Sequence, residues 1–554
     1  MKIIQITTYF ILMSCSAYLQ ANHVNGLYFP VSDHLFTSVW VGDTNTVSAP
    51  PANWFNLDAT LDKVRGVSTE RAYKELLKNK QSQTVIVAVI DSGVDIDHED
   101  LKDHIWINTD EIAGNGQDDD ANGYIDDVNG WSFIGGSGGE NVDYDSFEVT
   151  REYARLKDRF EEVDILKLKR KELKEFAYFY RLEKDYEKKL EKYQQQVYEL
   201  QQYYRIYQQA YEIMEEQLGD KPVNRENVEA LETEDPQLGY VKNILAFSFD
   251  NGLDSEELES TLEELEGRLE YGLNLEFDSR DIVGDNYSDL TEKGYGNNDV
   301  KGPNPMHGTH VSGIIAADRT NALGMKGIAD NVKIMVLRAV PNGDERDKDV
   351  ANAIYYAVNN GAKVINMSFG KDYSPQKQAV DAAMKYAEKM DVLLIHGAGN
   401  DGKDIDVNPN FPTSSYKEMH GKKRAKNWIE VGATSWKSDE ELVANFSNYG
   451  KTFVDVFAPG VAIYSTVPNQ AYDEKDGTSM AAPVVAGIAA LIRSYYPAFS
   501  AAEVRNIILD SAVRYPIEVN KPGEGGTVNF SQLSATGAMA NAYEAVKLAI
   551  QRAK

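Results

Sequence analysis

The sequence predicts an α/β fold in which a parallel β-sheet is flanked by helices and interrupted by a large helical insertion. Two observations predict it. Short β-branched runs such as TVIVAVID (84–91) alternate with helical stretches such as KDVANAIYYAVNNG (348–361), and a long segment (140–218) contains neither Gly nor Pro. Strands that alternate with helices of this length are joined by right-handed crossovers, which place the strands parallel in one sheet. In such sheets the functional residues collect at the carboxyl ends of the strands.

The N-terminal segment MKIIQITTYFILMSCSAYLQA (1–21) is typical of a signal peptide, because one Lys precedes an apolar run that is too short to span a bilayer. Cys15 is the only cysteine, which excludes a disulfide framework. It also ends the stretch LMSC (12–15), which is similar to the lipobox of bacterial lipoproteins. Cleavage after Ala21 and a lipid anchor at Cys15 are both open. Either one makes the mature protein extracytoplasmic, as a secreted, periplasmic or cell-envelope protein.

The composition is strongly acidic. Lys and Arg number 57 against 87 Asp and Glu, which gives a formal net charge of −30. Such a charge argues against binding to nucleic acid and against attraction to anionic membranes. We therefore expect no nucleic-acid partner, and membrane contact only through an anchor at Cys15.

Further strands and helices follow along the chain. Strands are predicted at VKIMVLRAV (332–340), KVINMSF (363–369), VLLIHGAG (392–399) and IEVGAT (429–434), since each is a short, mostly apolar run. SPQKQAVDAAMKYAEKM (374–390) is a helical stretch between two of them. In KDGTSMAAPVVAGIAALIRSYYP (475–497), apolar residues recur at helical spacing, which predicts a long apolar helix.

Polar side chains lie where these strands end and where helices begin. Asp91 ends the first strand, and Asn400 follows the strand VLLIHGAG. The run HGTHVSGIIAA places His307 and His310 at the start of a helix. Each residue alone also fits a structural role, such as capping a turn or filling the interior.

The tripeptide Gly-Thr-Ser directly before the long apolar helix has two interpretations. Thr478 or Ser479 caps the helix, because a hydroxyl there accepts a hydrogen bond from a free backbone N–H. Alternatively, Ser479 is a nucleophile, because a helix N-terminus stabilises negative charge. A Ser nucleophile, a His base, an acid that orients the His and an amide donor together are what acyl transfer requires.

Three segments carry a resemblance to a known family: AVIDSGVD (88–95), HGTHVSGIIAA (307–317) and GTSMAAPVVAG (477–487). They resemble the signature blocks of the subtilisin-like (subtilase, S8) serine peptidases, in that family's order of Asp, His and Ser. An α/β-hydrolase esterase would instead need Gly-x-Ser-x-Gly, whereas this chain reads Gly-Thr-Ser-Met-Ala (477–481). The resemblance implies a subtilisin-like parallel sheet flanked by helices in three layers.

The resemblance also implies an activity and its residues. It implies a secreted serine endopeptidase that hydrolyses peptide bonds through a Ser-His-Asp triad and an acyl-enzyme intermediate. Ser479 would be the nucleophile, His307 the general base and then acid, Asp91 the carboxylate that orients the imidazole, and Asn400 an amide donor to the oxyanion.

In the family, the substrate binds as an extended strand, so two short segments are expected to bind it. The substrate-binding residues implied are Ser368, Phe369, Gly370, Gly397, Ala398 and Gly399. The first three flank the substrate backbone, and the last three line the pocket for the side chain before the scissile bond. Phe369 and the small residues 397–399 favour an apolar side chain in that pocket.

The insertion is the main departure from the family. Asp91 and His307 are 216 residues apart, whereas compact members keep this pair within a few tens of residues. Residues at spacings of four and three predict a heptad seam on a long helix. These residues are Tyr186, Leu190, Tyr193, Val197, Leu200, Tyr204, Tyr207, Tyr211, Met214 and Leu218. The seam packs either on other helices of the insertion or on a partner, such as a second copy or a large substrate.

An acidic loop, NGQDDDANGYIDDVNG (115–130), follows the first half of a calcium loop, D-x-D-x-N-G-x-I. Its candidate metal ligands are Asp118, Asp120, Asn122 and Asp126. The usual Glu at the twelfth place is absent, because that position is Asn129. The chemistry requires no cofactor, so calcium would be a structural ion, and an acidic turn without metal is the alternative.

These observations divide the chain as follows: signal peptide 1–21, an N-terminal or short pro-segment 22–65, a first peptidase part 66–139, the helical insertion 140–275 and a second peptidase part 276–554. The expected partners are protein or peptide substrates. The rival function is a binding or assembly protein that uses the insertion and leaves the peptidase site idle.

Overall fold

A computed structural model describes residues 50–416, 423–523 and 525–554. The predicted signal peptide, its cleavage site and Cys15 lie outside these residues. The described chain forms two units by its internal contacts. We call residues 50–186 and 271–554 the sheet unit, and residues 187–270 the helical unit.

The sheet unit contains all the strands of the described chain. They are β1 (Val85–Asp91), β2 (Gly130–Ser132), β3 (Val332–Arg338), β4 (Val364–Met367), β5 (Leu393–Gly397), β6 (Trp428–Thr434), β7 (Val456–Pro459), β8 (Ile463–Val467), β9 (Ala471–Lys475), β10 (Val513–Arg514), β11 (Glu518–Asn520), β12 (Thr527–Asn529) and β13 (Ala538–Met539). Each strand predicted from the sequence is present, with ends that differ by no more than two residues.

The helices of both units, in chain order, are α1 (Thr69–Ala72), α2 (Glu148–Phe160), α3 (Arg170–Leu218), α4 (Arg225–Ala230), α5 (Pro236–Asn251), α6 (Ser255–Gly267), α7 (Arg280–Val283), α8 (Met306–Ala316), α9 (Asp347–Asn359), α10 (Lys377–Lys389), α11 (Thr478–Tyr495), α12 (Ala501–Asp510) and α13 (Ala542–Arg552). Helix α3 begins in the sheet unit and continues into the helical unit.

One nine-stranded sheet has the order β10-β13-β7-β6-β5-β4-β1-β3-β2. All neighbouring pairs are parallel except β10 and β13. The strands β8 and β9 form a separate antiparallel hairpin, as do β11 and β12. The predicted α/β class with a mostly parallel sheet and a helical insertion is therefore confirmed.

Strand β1 shows why the sheet is covered on both faces. Its side chains alternate between two cores: Val87 and Val89 pack in the core with α8 and α11, and Ala88 and Ile90 pack in the core with α9 and α10. A parallel strand buried on both faces is a nearly continuous apolar run, as this one is. The result is three layers, with helices on both sides of the sheet.

Helix α11 is the central helix of one layer. It packs against β4, β5, β6 and β7, and against α8. In length and apolar composition it would suffice to span a membrane, but 89% of it is buried inside the protein. It is therefore a core helix of the sheet unit.

Part of the predicted N-terminal or short pro-segment belongs to this core. Trp54 and Phe55 are fully buried in the core that contains α8 and α11. The indole Nε1 of Trp54 donates to the carbonyl of Ala462 at 2.9 Å. Residues 50–65 of this segment are thus part of the folded sheet unit.

The helical unit shows how the long helix packs. The buried residues of its part of α3 are Tyr193, Val197, Leu200, Tyr203, Tyr207, Ala210 and Met214. Tyr193, Leu200, Tyr207 and Met214 keep the seven-residue spacing, but Tyr203 and Ala210 are buried in place of the predicted Tyr204 and Tyr211, which are half-buried. The Tyr203 hydroxyl lies 2.7 Å from Ser248 Oγ on α5, so the seam packs on a helix of the same chain. Contact with a second chain stays a prediction.

One core leucine and one surface leucine of the sheet unit give a matched test of the packing of α11. Leu491 in α11 is fully buried, whereas Leu166 is 96% exposed. We expect Leu491→Ala to lower the free energy of unfolding by about 2–5 kcal/mol, because it loses apolar burial and leaves a cavity. Leu166→Ala should change it by less than about 0.5 kcal/mol. Urea unfolding followed by tryptophan fluorescence measures both, and equal shifts would contradict the assignment of α11 to the core.

Candidate active site

Strand β1 and helix α8 bring Asp91 and His307 together. Asp91 is the last residue of β1 and is 2% exposed, and His307 is the second residue of α8. The Nδ1–H of His307 donates to Asp91 Oδ1 at 2.7 Å. The backbone N–H of Ser92 donates to the same oxygen at 2.8 Å. The carboxylate therefore orients the imidazole and fixes the proton on Nδ1.

His307 and His310 lie in the same helix but differ in surroundings. Burial lowers the pKa of His307, but the charge and hydrogen bond of Asp91 outweigh it, so the pKa is raised above 6.5. His310 is fully buried and its Nε2 lies 3.1 Å from the carbonyl of Asp473. Burial lowers the pKa of His310 to about 4. Of the two candidate bases, only His307 contacts the acid.

Helix α11 presents Ser479 in its first turn. Gly477, the residue just before the helix, has a φ of 155°, which L side chains rarely adopt, so glycine suits this start of the helix. Within the described chain the backbone N–H of Ser479 donates to no other residue. The hydroxyl of Ser479 donates to the carbonyl of Ser368 at 3.0 Å, so its proton is not directed at His307 in this structure.

Thr478 fixes the orientation of Asn400. Its backbone N–H donates to Asn400 Oδ1 at 2.9 Å, and its hydroxyl donates to the same oxygen at 3.0 Å. The amide nitrogen of Asn400 consequently points away from these donors, and no described residue accepts a hydrogen bond from it. Sequence reasoning considered Thr478 only as a cap, and no signal in the sequence identified this role.

The substrate-binding residues predicted from the sequence fall on two neighbouring strand ends. Ser368, Phe369 and Gly370 follow β4, while Gly397 ends β5 and is followed by Ala398 and Gly399. Ser368 Oγ donates to the carbonyl of Ser479 at 2.9 Å, which joins the first segment to α11. The Thr478 hydroxyl also accepts from the backbone N–H of Gly399 at 3.0 Å, which joins the second.

Asn410 is a residue of this site that the sequence did not indicate. It is 6% exposed, and its Nδ2 donates to the carbonyl of Gly397 at 3.3 Å. A Cβ on Gly370 would lie only 2.4 Å from the same amide. Asn410 thus packs between the two strand ends. Phe369 places its ring 6.3 Å from that of His396, edge to face, and an apolar preference of the neighbouring pocket stays a prediction.

The four candidate metal ligands of the acidic loop 115–130 do not form a single coordination shell. Both oxygens of Asp118 accept from the backbone N–H groups of Asn122 and Gly123. Those of Asp126 accept from the N–H groups of residues 115 and 116. Asn122 donates its amide to Asp120 Oδ2 at 3.0 Å.

Three carboxylates do converge here, two from this loop and one from a residue that precedes it. Glu111, Asp120 and Asp127 offer oxygens that lie within 4.8 Å of one another. Glu111 accepts from three backbone N–H groups, and Asp127 accepts from Asn108 and Asn122. Oxygen donors at this spacing suit calcium, yet hydrogen bonds already engage them. Calcium binding here stays a prediction.

The fold and site together define a class of protein. An acid, a histidine, a serine at a helix N-terminus and a free amide donor, all at the carboxyl edge of a parallel sheet, form the arrangement used for acyl transfer. The model of the family described as "Subtilase family" matches residues 82–535. The chain belongs to the subtilase family.

Named relatives agree with this assignment. The chain is 42% identical over 189 residues to a thermophilic serine proteinase of Bacillus sp. (strain AK1), which covers 34% of this chain and 42% of that protein. It is 38% identical over 209 residues to subtilisin DY of Bacillus licheniformis, covering 37% and 70%. It is 34% identical over 268 residues to a cell wall-associated protease of Bacillus subtilis (strain 168), covering 48% and 26%. The matches thus span between about a quarter and seven tenths of these relatives' lengths.

The two histidines of α8 allow a test of the electrostatics. We expect His307 to titrate with a pKa above 6.5 and His310 with a pKa of about 4, because Asp91 stabilises the first imidazolium and burial disfavours the second. In Asp91→Asn the His307 pKa should fall, since its stabilising charge is removed, while His310 should not change. Two-dimensional NMR of the imidazole ring protons measures both. An unchanged His307 pKa in Asp91→Asn would contradict the pairing.

Proposed function

We propose that this protein is a serine endopeptidase that hydrolyses peptide bonds in proteins or peptides through an acyl-enzyme intermediate. The observation that carries the proposal is the 2.7 Å contact between Asp91 and His307, beside a helix N-terminus that bears Ser479. Membership in the subtilase family and the names of the relatives support it.

The first step is the attack of Ser479 on a substrate carbonyl. Because Nδ1 of His307 carries a proton that is donated to Asp91, its Nε2 has a free lone pair that can take the Ser479 proton. A rotation of the Ser479 side chain from the Ser368 carbonyl toward His307 prepares this transfer. Asp91 stabilises the imidazolium that forms, and the raised pKa of His307 reflects that stabilisation.

Two free hydrogen-bond donors would stabilise the negative charge that develops on the substrate oxygen. These are the backbone N–H of Ser479 and the amide nitrogen of Asn400, whose carbonyl oxygen is held by Thr478. Both donors are fixed before the substrate binds, so they need no reorganisation during the reaction. The N-terminal end of the α11 dipole adds to the stabilisation of the same charge.

His307 then completes both halves of the reaction. Its imidazolium donates the proton to the leaving amine, which releases the first product and leaves the acyl group on Ser479. In the second half His307 takes a proton from water, the resulting hydroxide attacks the ester, and the proton returns to Ser479. The chemistry needs no cofactor, and calcium would serve only as a structural ion.

We propose an extracytoplasmic location for the mature protein. The signal-peptide pattern of residues 1–21 supports it, and one relative is a cell wall-associated protease. Attachment through Cys15 is the form of anchoring that the sequence allows.

Two substitutions at the site and one control test the activity on denatured casein. We expect Ser479→Ala to reduce kcat by about 10⁶-fold, the loss that removal of this group has in subtilisin, and to abolish labelling by a fluorophosphonate. Asn400→Ala should reduce kcat by about 10²- to 10³-fold, again the range known for subtilisin, with little change in KM. Ser531→Ala, at an exposed serine outside the site, should keep full activity and labelling. Labelling that persists in Ser479→Ala would contradict the proposal.

A further inference from the structure

Strand β1 ends early and leaves a gap between two segments of the protein, the one that follows β4 and the one that follows β3. Strand β1 pairs with β4 up to Met367 and ends at Asp91. The residues after β4 therefore lose their neighbour on that side, and the N–H and C=O of Gly370 make no hydrogen bond within the described chain. On the far side, the N–H groups of Ala339 and Val340 donate to the carbonyl of Asp91 and keep the chain after β3 beside the gap. We call the gap between residues 368–371 and 339–347 the groove.

The groove is where an extended substrate would lie. A peptide that takes the place of β1 would pair with the backbone of residues 368–370 by strand addition, once the Ser479 hydroxyl has turned away from the Ser368 carbonyl. Alternate residues of a strand face the same edge, so Ser368 and Gly370 would pair with the first and third substrate residues before the scissile bond. With a rise of about 3.3 Å per residue, residue 371 lies about 10 Å beyond Ser368, beside the fourth substrate residue.

The side chain of Lys371 crosses the groove at that place. Its Nζ donates to the carbonyl of Glu345 at 2.6 Å and to Glu148 Oε2 at 2.8 Å, and lies 3.0 Å from Asp347 Oδ1. The Lys371 side chain is 1% exposed. The groove is therefore closed by an ammonium group whose three donors are all directed at nearby oxygens.

The first turn of the insertion completes the closure. Glu148 begins α2, and its backbone N–H donates to Asp344 Oδ2 at 2.8 Å. Arg151 donates to Glu148 Oε2 at 2.8 Å and to the carbonyl of Asp344 at 3.1 Å. The carbonyls of Asp344 and Glu345 on the far edge of the groove are thus already occupied by Arg151 and Lys371. We call Glu148, Arg151, Asp347 and Lys371 the ion cluster.

A peptide could not displace this cluster at low cost. Removal of the ammonium would leave the carboxylates of Glu148 and Asp347 buried without that cation, which is strongly unfavourable. The cluster also offers no free charge to a substrate side chain, because each of its cations contacts a carboxylate.

We propose that the ion cluster ends the groove on the acyl side, so that the enzyme binds three residues before the scissile bond and has no fourth subsite. The inference rests on the proposed function. It makes residue 371 and the first turn of the insertion determinants of substrate specificity. The substrates are then selected by three residues before the bond, and longer extensions on that side add no affinity.

A series of peptide substrates tests the inference on the wild-type protein. The series has two, three, four and five residues before a chromogenic anilide, with the residue next to the anilide held constant. We expect kcat/KM to rise at least 5-fold from two to three residues and then to stay within 2-fold at four and five. A further rise of more than 2-fold at the fourth residue would overturn the inference while leaving the peptidase function intact. No hydrolysis of any member, together with no fluorophosphonate labelling, would overturn the proposed function and the inference with it.

Variants of two lysines locate the effect. Lys371→Ala should open the groove, so that the fourth residue now raises kcat/KM at least 5-fold, whereas Lys371→Arg keeps a cation beside Glu148 and Asp347 and should keep the plateau. Lys377→Ala removes a lysine that pairs with Asp381 on α10, outside the groove, and should also keep the plateau. If Lys371→Ala does not fold, the wild-type series and Lys371→Arg decide the question. A plateau that persists in folded Lys371→Ala would overturn the inference.

Discussion

Strand β1 ends at Asp91, while the two neighbouring segments, which follow β3 and β4, continue past it. The rest of the site depends on this strand end. The termination leaves the carboxylate of Asp91 at the carboxyl edge of the sheet, where it meets His307. The same termination frees the edge of the segment after β4, where we propose that the substrate strand binds. One strand end thus supplies both the acid of the site and the space that we propose for the substrate, because the strand and the peptide would use the same backbone edge.

Close approach of backbones makes this geometry attainable. Gly308 follows His307 in α8, and a Cβ there would lie 2.2 Å from the carbonyl oxygen of Gly93 and 3.1 Å from the Cβ of Asp91. Any larger residue would push the helix away from the strand end and lengthen the contact between Asp91 and His307. In α11, a Cβ on Gly487 would lie 2.5 Å from Cβ of Ile328. The side chains of the candidate site are held in place by glycines that carry no chemistry themselves.

The sequence predicted the sheet well, and it placed the candidate site residues at the ends of elements where the structure also has them, because both depend on local signals. A strand buried on both faces must be an apolar run, and Asp91, Asn400 and Ser479 sit at the ends of such elements. The choice between His307 and His310 needed the structure or a family resemblance, since both lie near the start of one helix and only their surroundings differ. The structure was also needed to show that Tyr203 rather than Tyr204 is buried in the seam. Tyr occupies both positions, and one fits a spacing of three residues and the other a spacing of four. The acidic loop is ambiguous for a physical reason: carboxylates spaced for calcium are also spaced to accept backbone N–H groups, as Asp118 and Asp126 do.

The ion cluster was beyond sequence reasoning, because Lys371 and its partner Glu148 are 223 residues apart. Burial would raise the pKa of Glu148, but Arg151 and Lys371 outweigh it and hold the pKa at about 2, so the carboxylate is charged at neutral pH. Buried ion pairs of this kind are often no more stabilising than apolar packing of the same volume. Stability alone therefore does not account for four charged side chains at this place. Their directional contacts fix two chain segments and the first turn of the insertion at defined distances, which apolar packing would do less strictly. The insertion is thus joined to the groove through a few buried charges, and its first turn belongs structurally to the substrate-binding edge.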